Sequence, residues 1–338
     1  CPYFDSNCAA NWDTWRKGGG QDMKRSILIF YFLFFGLIFL SPLVLDRYWL
    51  DLLNNVGLYL ILCLSLNIIL GQAGMFNMGH AAFYAIGAYT TAIVNIHYGV
   101  PVLWTLPLSG IVAALFAVIV ARPIIHLRGD YLLIVTIGMV EIMRIALINN
   151  VFGLTGGANG IFGIARPEIF GYKIAKPQQF LYLIWSFVAI TVLLFSLLEN
   201  SRFGRALKYL KEDEVAAEGS GVNTTYYKLA AFALGAGWAG MCGTLFASKM
   251  TIISPESFNF KESVLLFMIV ILGGAGNIRG IILGTFLVIC LPELFREFAN
   301  YRMLIFGLAM MLMMIFRPQG LLPPKPRTYS LDSVQETP

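Results

Sequence analysis

A polytopic bundle of about eight to ten transmembrane α-helices is the architecture to expect of this 338-residue, all-α membrane chain. One helix should be discontinuous, and one short charged helix should lie at the cytoplasmic surface. Three observations carry that expectation. Apolar residues make up 58% of the chain and charged residues only 13%, whereas a soluble domain carries about 25% charged residues. Apolar runs of about 20 residues, the length that crosses a bilayer as a helix, recur roughly ten times. The largest charge-dense break between them covers 199–228, too polar to be membrane and too short to be a second domain.

The runs fall at 27–45, 52–70, 80–96, 103–121, 131–149, 180–198, 229–248, 262–273, 281–292 and 303–316. Tyr and Trp near their ends suit interfacial anchoring. The 33 glycines suit close helix packing and broken helices. A transmembrane β-barrel would instead show alternating stretches of about ten residues. The runs at 262–273 and 281–292 are short, and a single re-entrant pair there would leave eight or nine crossings. Residues 1–23 differ in character, and Met23-Lys24-Arg25 looks like a natural start, so 1–22 read as an addition ahead of it or as a disordered cytoplasmic tail. The transmembrane body is expected over 24–317 and a cytoplasmic tail over 318–338, where prolines and polar residues give little capacity to fold.

With the N-terminus inside and ten crossings, the inner segments hold most of the 24 Lys and Arg residues, which puts both termini in the cytoplasm. The net charge of +5 is therefore an orientation signal and no argument for nucleic acid. The glycine- and proline-rich segment 150–179 then lies outside as a shaped loop or short hairpin. The five cysteines have no metal-ligand spacing, and Cys63, Cys242 and Cys290 fall inside apolar runs as small packing residues. No Walker-type phosphate loop, zinc motif or G-x-S-x-G elbow is present, so the residues offer no basis for an enzyme.

Three stretches carry functional signals. The first is 199–228, where Arg205, Glu212, Asp213, Glu214 and Glu218 alternate with Leu207 and Ala217 before Gly219 and Gly221. That pattern describes a short surface helix and turn with one partly apolar face, suited to docking a partner, and an ordinary cytosolic loop has the same composition. The second is Asn67 to His80, where Gln72, Gly74, Asn77, Gly79 and His80 interrupt membrane-depth sequence. Non-helical backbone there must be buried in protein or line a watery cavity, which makes it a candidate pathway lining or gate; a short polar loop between helices is the alternative. The third is Glu141 and Arg144, three apart inside an apolar run and able to pair on one helix face. A structural clamp and a transport role account for that pair equally well.

Taken in order, LNIILGQAGMFNMGHAAFYAIGAYT, LRGDYLLIVTIGMVEIMR, LTGGANGI, the 204–247 stretch, ILGGAGNIRG and RPQGLL resemble the permeases of bacterial branched-chain amino acid ABC importers, the longer of the two membrane subunits in particular. The likeness runs from residue 24 to about 322. It implies a bacterial inner-membrane subunit working with a homologous second permease, two cytoplasmic ATPases that bind ATP and Mg, and a periplasmic or lipid-anchored substrate-binding protein, within membrane lipid. No cofactor is implied for this chain itself. The resemblance further implies that Arg205 to Gly221 form the coupling helix and turn seated in an ATPase groove, and that 71–80 lie near the translocation path of an alternating-access importer. Lys208-Tyr209-Leu210 and Ser220 depart slightly from the family pattern. Related permeases carry urea, short amides or other amino acids, so the cargo stays open; an ion-coupled carrier and a structural membrane protein are the remaining alternatives.

Overall fold

Side-chain caps start the helices of the second half of the chain, from Ser201 onward, while the long helices of the first half begin without one. The computed structural model describes residues 34–43, 45–127, 129–150, 153–169, 171–294, 307–308, 311, 315–317 and 320–322. A helical stretch at 34–40 and a 3-10 turn at Ser41–Leu43 lead into α1, Arg47–Asn67. α1 does not end there; it widens into a π-helical turn, Ile68–Gln72, giving a continuous 26-residue segment about 40 Å long. Irregular backbone follows to α2, His80–Tyr98, which closes on Gly99 in the left-handed conformation (φ 64°). α3 spans Val102–Ile124 and α4 spans Asp130–Ile148. α5, Pro177–Asn200, starts on a proline, while the Gln179 side chain accepts from the Ala175 and Lys176 amides at 3.0 and 3.2 Å.

The charged break folds into two short helices. α6, Arg202–Glu212, is capped by Ser201, whose hydroxyl accepts from Gly204 N; α7, Glu214–Gly219, is capped by Asp213, which accepts from Val215 N and Ala216 N. α8, Thr224–Met250, follows its Asn223 cap, and α9, Phe260–Gly273, follows Asn259. α10 spans Ile278–Leu294.

α8 is the central helix of the bundle, packed against α1, α2 and α3. Glycine lets it sit close: a Cβ on Gly240 would lie 2.7 Å from Ser109 O, and one on Gly87 would lie 2.0 Å from Gly240 O. Thr244 bonds both Thr91 (2.8 Å) and Ser109 (2.6 Å), a buried hydroxyl cluster joining the three helices. α1 packs on α5, α9 and α10 from the other side, with Trp185 of α5 buried and donating to Leu53 O.

Strand structure is confined to one end. β1 (Ile161–Phe162) pairs antiparallel with β4 (Ile252–Ile253), and β2 (Glu168–Ile169) with β3 (Tyr172–Lys173). The hairpin expected within 150–179 is therefore present, and β1–β4 ties that segment to the end of α8.

Fewer of the described helices meet the length and hydropathy of a crossing than the apolar runs imply. Among the described residues, five helices are long and apolar enough to cross a membrane: Arg47–Gln72, Val102–Ile124, Asp130–Ile148, Pro177–Asn200 and Thr224–Met250. The expected run at 80–96 does form a 19-residue helix, α2, but its tyrosines, threonines, Asn95 and two histidines keep it outside that set. The runs at 262–273 and 281–292 form helices of only 14 and 17 residues, packed on each other and on α1. The run at 303–316 lies mostly outside the described residues, as do 27–33, the N-terminal segment 1–23 and most of 318–338. Gly320–Leu322 is fixed: Leu321 N and Leu322 N donate to Leu272 O and Gly273 O at 2.8 and 3.3 Å.

Candidate functional site

The break between α1 and α2 is buried in protein. Gly71, Gln72, Ala73, Met75, Asn77, Gly79 and His80 are all buried, and Phe76 alone in this stretch is exposed. Its backbone is held by bonds outside the regular helical pattern. Ala73 N and Met75 N reach back to Ile68 O and Ile69 O (3.1 and 3.0 Å), Gly79 N donates to Asn77 Oδ1 (2.8 Å) and Met78 N to Thr136 Oγ1 of α4 (3.1 Å). Ala81 N, in the first turn of α2, donates to Ser263 Oγ of α9 at 3.0 Å. Membrane-depth backbone without a regular helix is thus satisfied by α4 and α9.

Two neighbours close on the π-turn. Asn67 Oδ1 accepts from Gly276 N (2.8 Å) in the α9–α10 turn, and a Cβ on Gly71 would fall 1.9 Å from that Asn67 oxygen and 2.5 Å from Gly276 N. From the surface, Lys211 Nζ of α6 donates to Gly71 O at 2.8 Å. Gly74, at φ 71°, leaves room for the Lys211 stem, since a Cβ there would meet Lys211 Cγ at 2.8 Å. The Lys211 stem runs along the surface while its ammonium tucks inward. That desolvation, with a smaller contribution from Lys208, pulls its pKa below the usual lysine range. One end of the bundle therefore brings together the π-turn, α6, the 273–280 turn and residues 320–322.

The residues expected to line a pathway are placed here with different surroundings. His80 Nε2 meets Ser65 Oγ at 2.7 Å. Gln72 Oε1, Asn77 Nδ2 and His80 Nδ1 are buried without a hydrogen-bond partner among the described residues. Each such atom costs about 1–3 kcal/mol, so this arrangement carries a penalty localised at the break.

The residues expected to dock a partner divide into two groups. Leu207 and Ala217 are buried against the bundle. Glu214 pairs with Lys228 at the start of α8, and Glu218 Oε1 accepts from Thr224 Oγ1 at 2.7 Å, so both acids fasten α7 to α8. Asp213 is the α7 cap. Arg205, Glu212, Gly219 and Gly221 face outward, and Arg205 donates to Asn200 O at 2.9 Å. The exposed apolar side chains Tyr209 and Val215 flank this face, which holds a cleft of about 410 Å³ bordered by Tyr209, Glu212, Asp213 and Ala216.

Glu141 and Arg144 meet at the far end of α4, with Arg144 donating to Glu141 Oε2 at 2.9–3.0 Å. Glu256, in the 255–258 turn, adds a second carboxylate to Arg144 at 3.2 Å. Lys211 as a partner of the break, and Thr136, Ser263, Gly276 and Glu256, escaped the sequence reading, whereas Asn67 opened the stretch it singled out. Only the glycine-rich 273–280 motif gave a signal, because the other partners are distant in the chain. Among the described residues no group of three His, Cys, Asp or Glu side chains is placed to hold a metal.

An all-α, multispan membrane bundle with a broken helix, its break clasped by a charged surface helix, is the arrangement these features define. Residues 48–315 match the family described as branched-chain amino acid transport system / permease component. The high-affinity branched-chain amino acid transport system permease protein LivM of Salmonella typhimurium is 38% identical over 327 residues, covering 90% of this chain and 76% of the relative. LivM of Escherichia coli is 40% identical over 305 residues, with 83% and 72% covered. A probable branched-chain amino acid transport permease protein LivM of Methanocaldococcus jannaschii is 26% identical over 322 residues, with 80% and 92% covered. The chain belongs to the branched-chain amino acid permease family, as a non-catalytic membrane component. No solved structure matches it.

Proposed function

We propose that this chain is the permease subunit of an ATP-driven importer that moves leucine, isoleucine and valine across the bacterial inner membrane. Family membership supports the transport class and the cargo of the named relatives supports the substrate. The observation that carries the mechanism is the Lys211–Gly71 bond, which joins the surface helix directly to the break in α1. Two ATPases on the cytoplasmic side would draw α6 and α7 inward as they close. Lys211 would carry that displacement to the π-turn, and the unsatisfied Gln72, Asn77 and His80 atoms would gain partners once the break opens toward water. The break is then the gate, and Arg205, Tyr209, Glu212 and Val215 meet the ATPase. A second, homologous permease and a substrate-binding protein at the 150–179 end would complete the machine.

The same reading puts both termini in the cytoplasm, following the Lys and Arg bias. The crossings beyond the five long apolar helices would come from α2, the α9–α10 pair and the terminal segments. An impermeant thiol reagent should label Tyr172→Cys from outside and Tyr209→Cys only from inside; reversed labelling overturns the orientation. The decisive assay is reconstitution with both ATPases, the second permease and the binding protein, with labelled leucine and urea compared. ATP-dependent leucine uptake is expected. Uptake of urea alone, or leucine uptake at full rate without nucleotide, would overturn the assignment.

A further inference from the structure

At the end of the bundle opposite the break, a cleft of about 220 Å³ opens between α1, α2, α8 and α9. Pockets for drug-sized ligands run about 300–1,000 Å³, so this one suits a smaller molecule. Leu58, Leu62, Phe246 and Met250 supply apolar walls, Tyr59, Tyr84 and Ser257 add hydroxyls, and two further polar groups complete the lining.

The first is Glu262, partly buried in the first turn of α9. Its Oε2 accepts from Tyr59 Oη at 2.9 Å, and its amide is capped by Asn259. Among the described residues no Lys, Arg or His pairs with it. A partly buried carboxylate facing a cleft without a counter-charge is costly, and a ligand cation would supply what the protein does not. The second is Asn55, one turn before Tyr59 on the same face of α1, about 6 Å along the helix. Lys249 donates to Asn55 Oδ1 at 2.7 Å and pairs with Asp51 at 3.2 Å. With its oxygen engaged, the Asn55 amide offers only N–H donors to the cleft, and a positive charge stands behind it. A carboxylate without a counter-charge and an amide whose oxygen is already engaged thus border one small cleft.

We propose that this cleft is the site where the permease receives a free α-amino acid, with Glu262 taking the ammonium group, Asn55 the carboxylate, and Leu58, Phe246 and Met250 the aliphatic side chain. The assignment rests on the amino-acid reading of function and adds where in this chain the zwitterion is read. A neutral cargo such as urea can hydrogen-bond the pair but brings no cation to offset the Glu262 charge.

The test uses the assembled transporter in nanodiscs without its binding protein, carrying Ser257→Cys in the cleft wall. Maleimide labelling of that peptide is followed by mass spectrometry. Leucine should protect the cysteine. Glu262→Gln, which keeps an oxygen for the Tyr59 bond, should raise the half-protecting leucine concentration about tenfold or more, as should Asn55→Leu. Two half-ligands separate the roles: 3-methylbutylamine should lose its protection in Glu262→Gln and keep it in Asn55→Leu, and 4-methylpentanoate the reverse. Equal protection in parent and variants, equal loss of both half-ligands in each variant, or protection by urea and not leucine, overturns the site. A parent complex that imports leucine but shows no protection overturns the site and leaves the function standing. Leucine protection in a complex that imports no leucine does the opposite.

Discussion

The two ends of the bundle are built on different physical terms. At the break, every contact has a backbone atom on at least one side: the Asn67 amide oxygen meets Gly276 N, the Lys211 ammonium meets Gly71 O, and Leu321 N meets Leu272 O, and a Cβ added at Gly71 has nowhere to go. At the opposite end, besides the β1–β4 pairing, ion pairs between side chains join the elements, Arg144–Glu256 at 3.2 Å, Lys173–Glu168 at 3.3 Å and Lys249–Asp51 at 3.2 Å, and a cleft opens beside Asn55, the other partner of Lys249. Close backbone contact leaves no slack, so a displacement of α6 must be felt by α1. Open space bordered by polar side chains can admit a ligand. On the proposals made above, transmission and recognition are separated along the length of the bundle.

Substitutions can break that contrast, and the largest effect is expected at Gly71. Gly71→Val puts a Cβ 1.9 Å from Asn67 Oδ1 and 2.5 Å from Gly276 N, and the latter is backbone. Overpacking costs about 1–3 kcal/mol and loss of the Asn67–Gly276 bond about as much again. Uptake should fall more than about tenfold, with a lowered melting temperature in detergent; a variant with parental uptake and melting would show the junction to be slack.

Lys211→Met should come next. It keeps the stem against Gly74 and deletes only the ammonium bond to Gly71 O. Leucine imported per ATP hydrolysed should drop roughly five- to tenfold, in line with a charge-assisted bond of about 1.5 kcal/mol or somewhat less. An unchanged ratio would mean the strap transmits nothing.

The double change Glu214→Lys with Glu218→Lys should lower substrate-stimulated ATPase activity about threefold while the chain stays in the membrane, because it unfastens α7 from α8. Adding Lys228→Glu re-forms the first pair with reversed charges. Partial recovery would show that Glu214 acts through α8, whereas no recovery would mean that it touches the ATPase directly.

The smallest effect belongs to the far end. Glu168→Ala removes an exposed hairpin pair worth about 0.2–1 kcal/mol. Melting temperature and uptake should stay within error, and a large loss would show that the hairpin carries load.

Much of the outline was legible. The apolar runs marked the helices, and the glycine- and amide-rich stretch 71–80 marked the break because such residues have no stable place in a lipid-facing helix; Asp213, read as a docking charge, proved to be the α7 cap. Within the candidate site the reading was less complete. Glu214 and Glu218 look like docking charges in a one-dimensional pattern, since nothing in it says that Lys228 and Thr224 fold back to meet them. Lys211 looked like one more surface cation because its partner is a backbone carbonyl, which no side-chain pattern reveals.

What the chain determines locally is therefore the class of object: long apolar helices, a polar interruption and an amphipathic surface segment follow from the hydrophobic period, cap chemistry and the cost of polar backbone in lipid. Which helix clasps the break, which acid finds a lysine and which carboxylate is left facing a cleft are decided only in three dimensions. Those bonds join residues up to about 200 positions apart, and in two of the three a backbone atom, identical along the chain, is one partner.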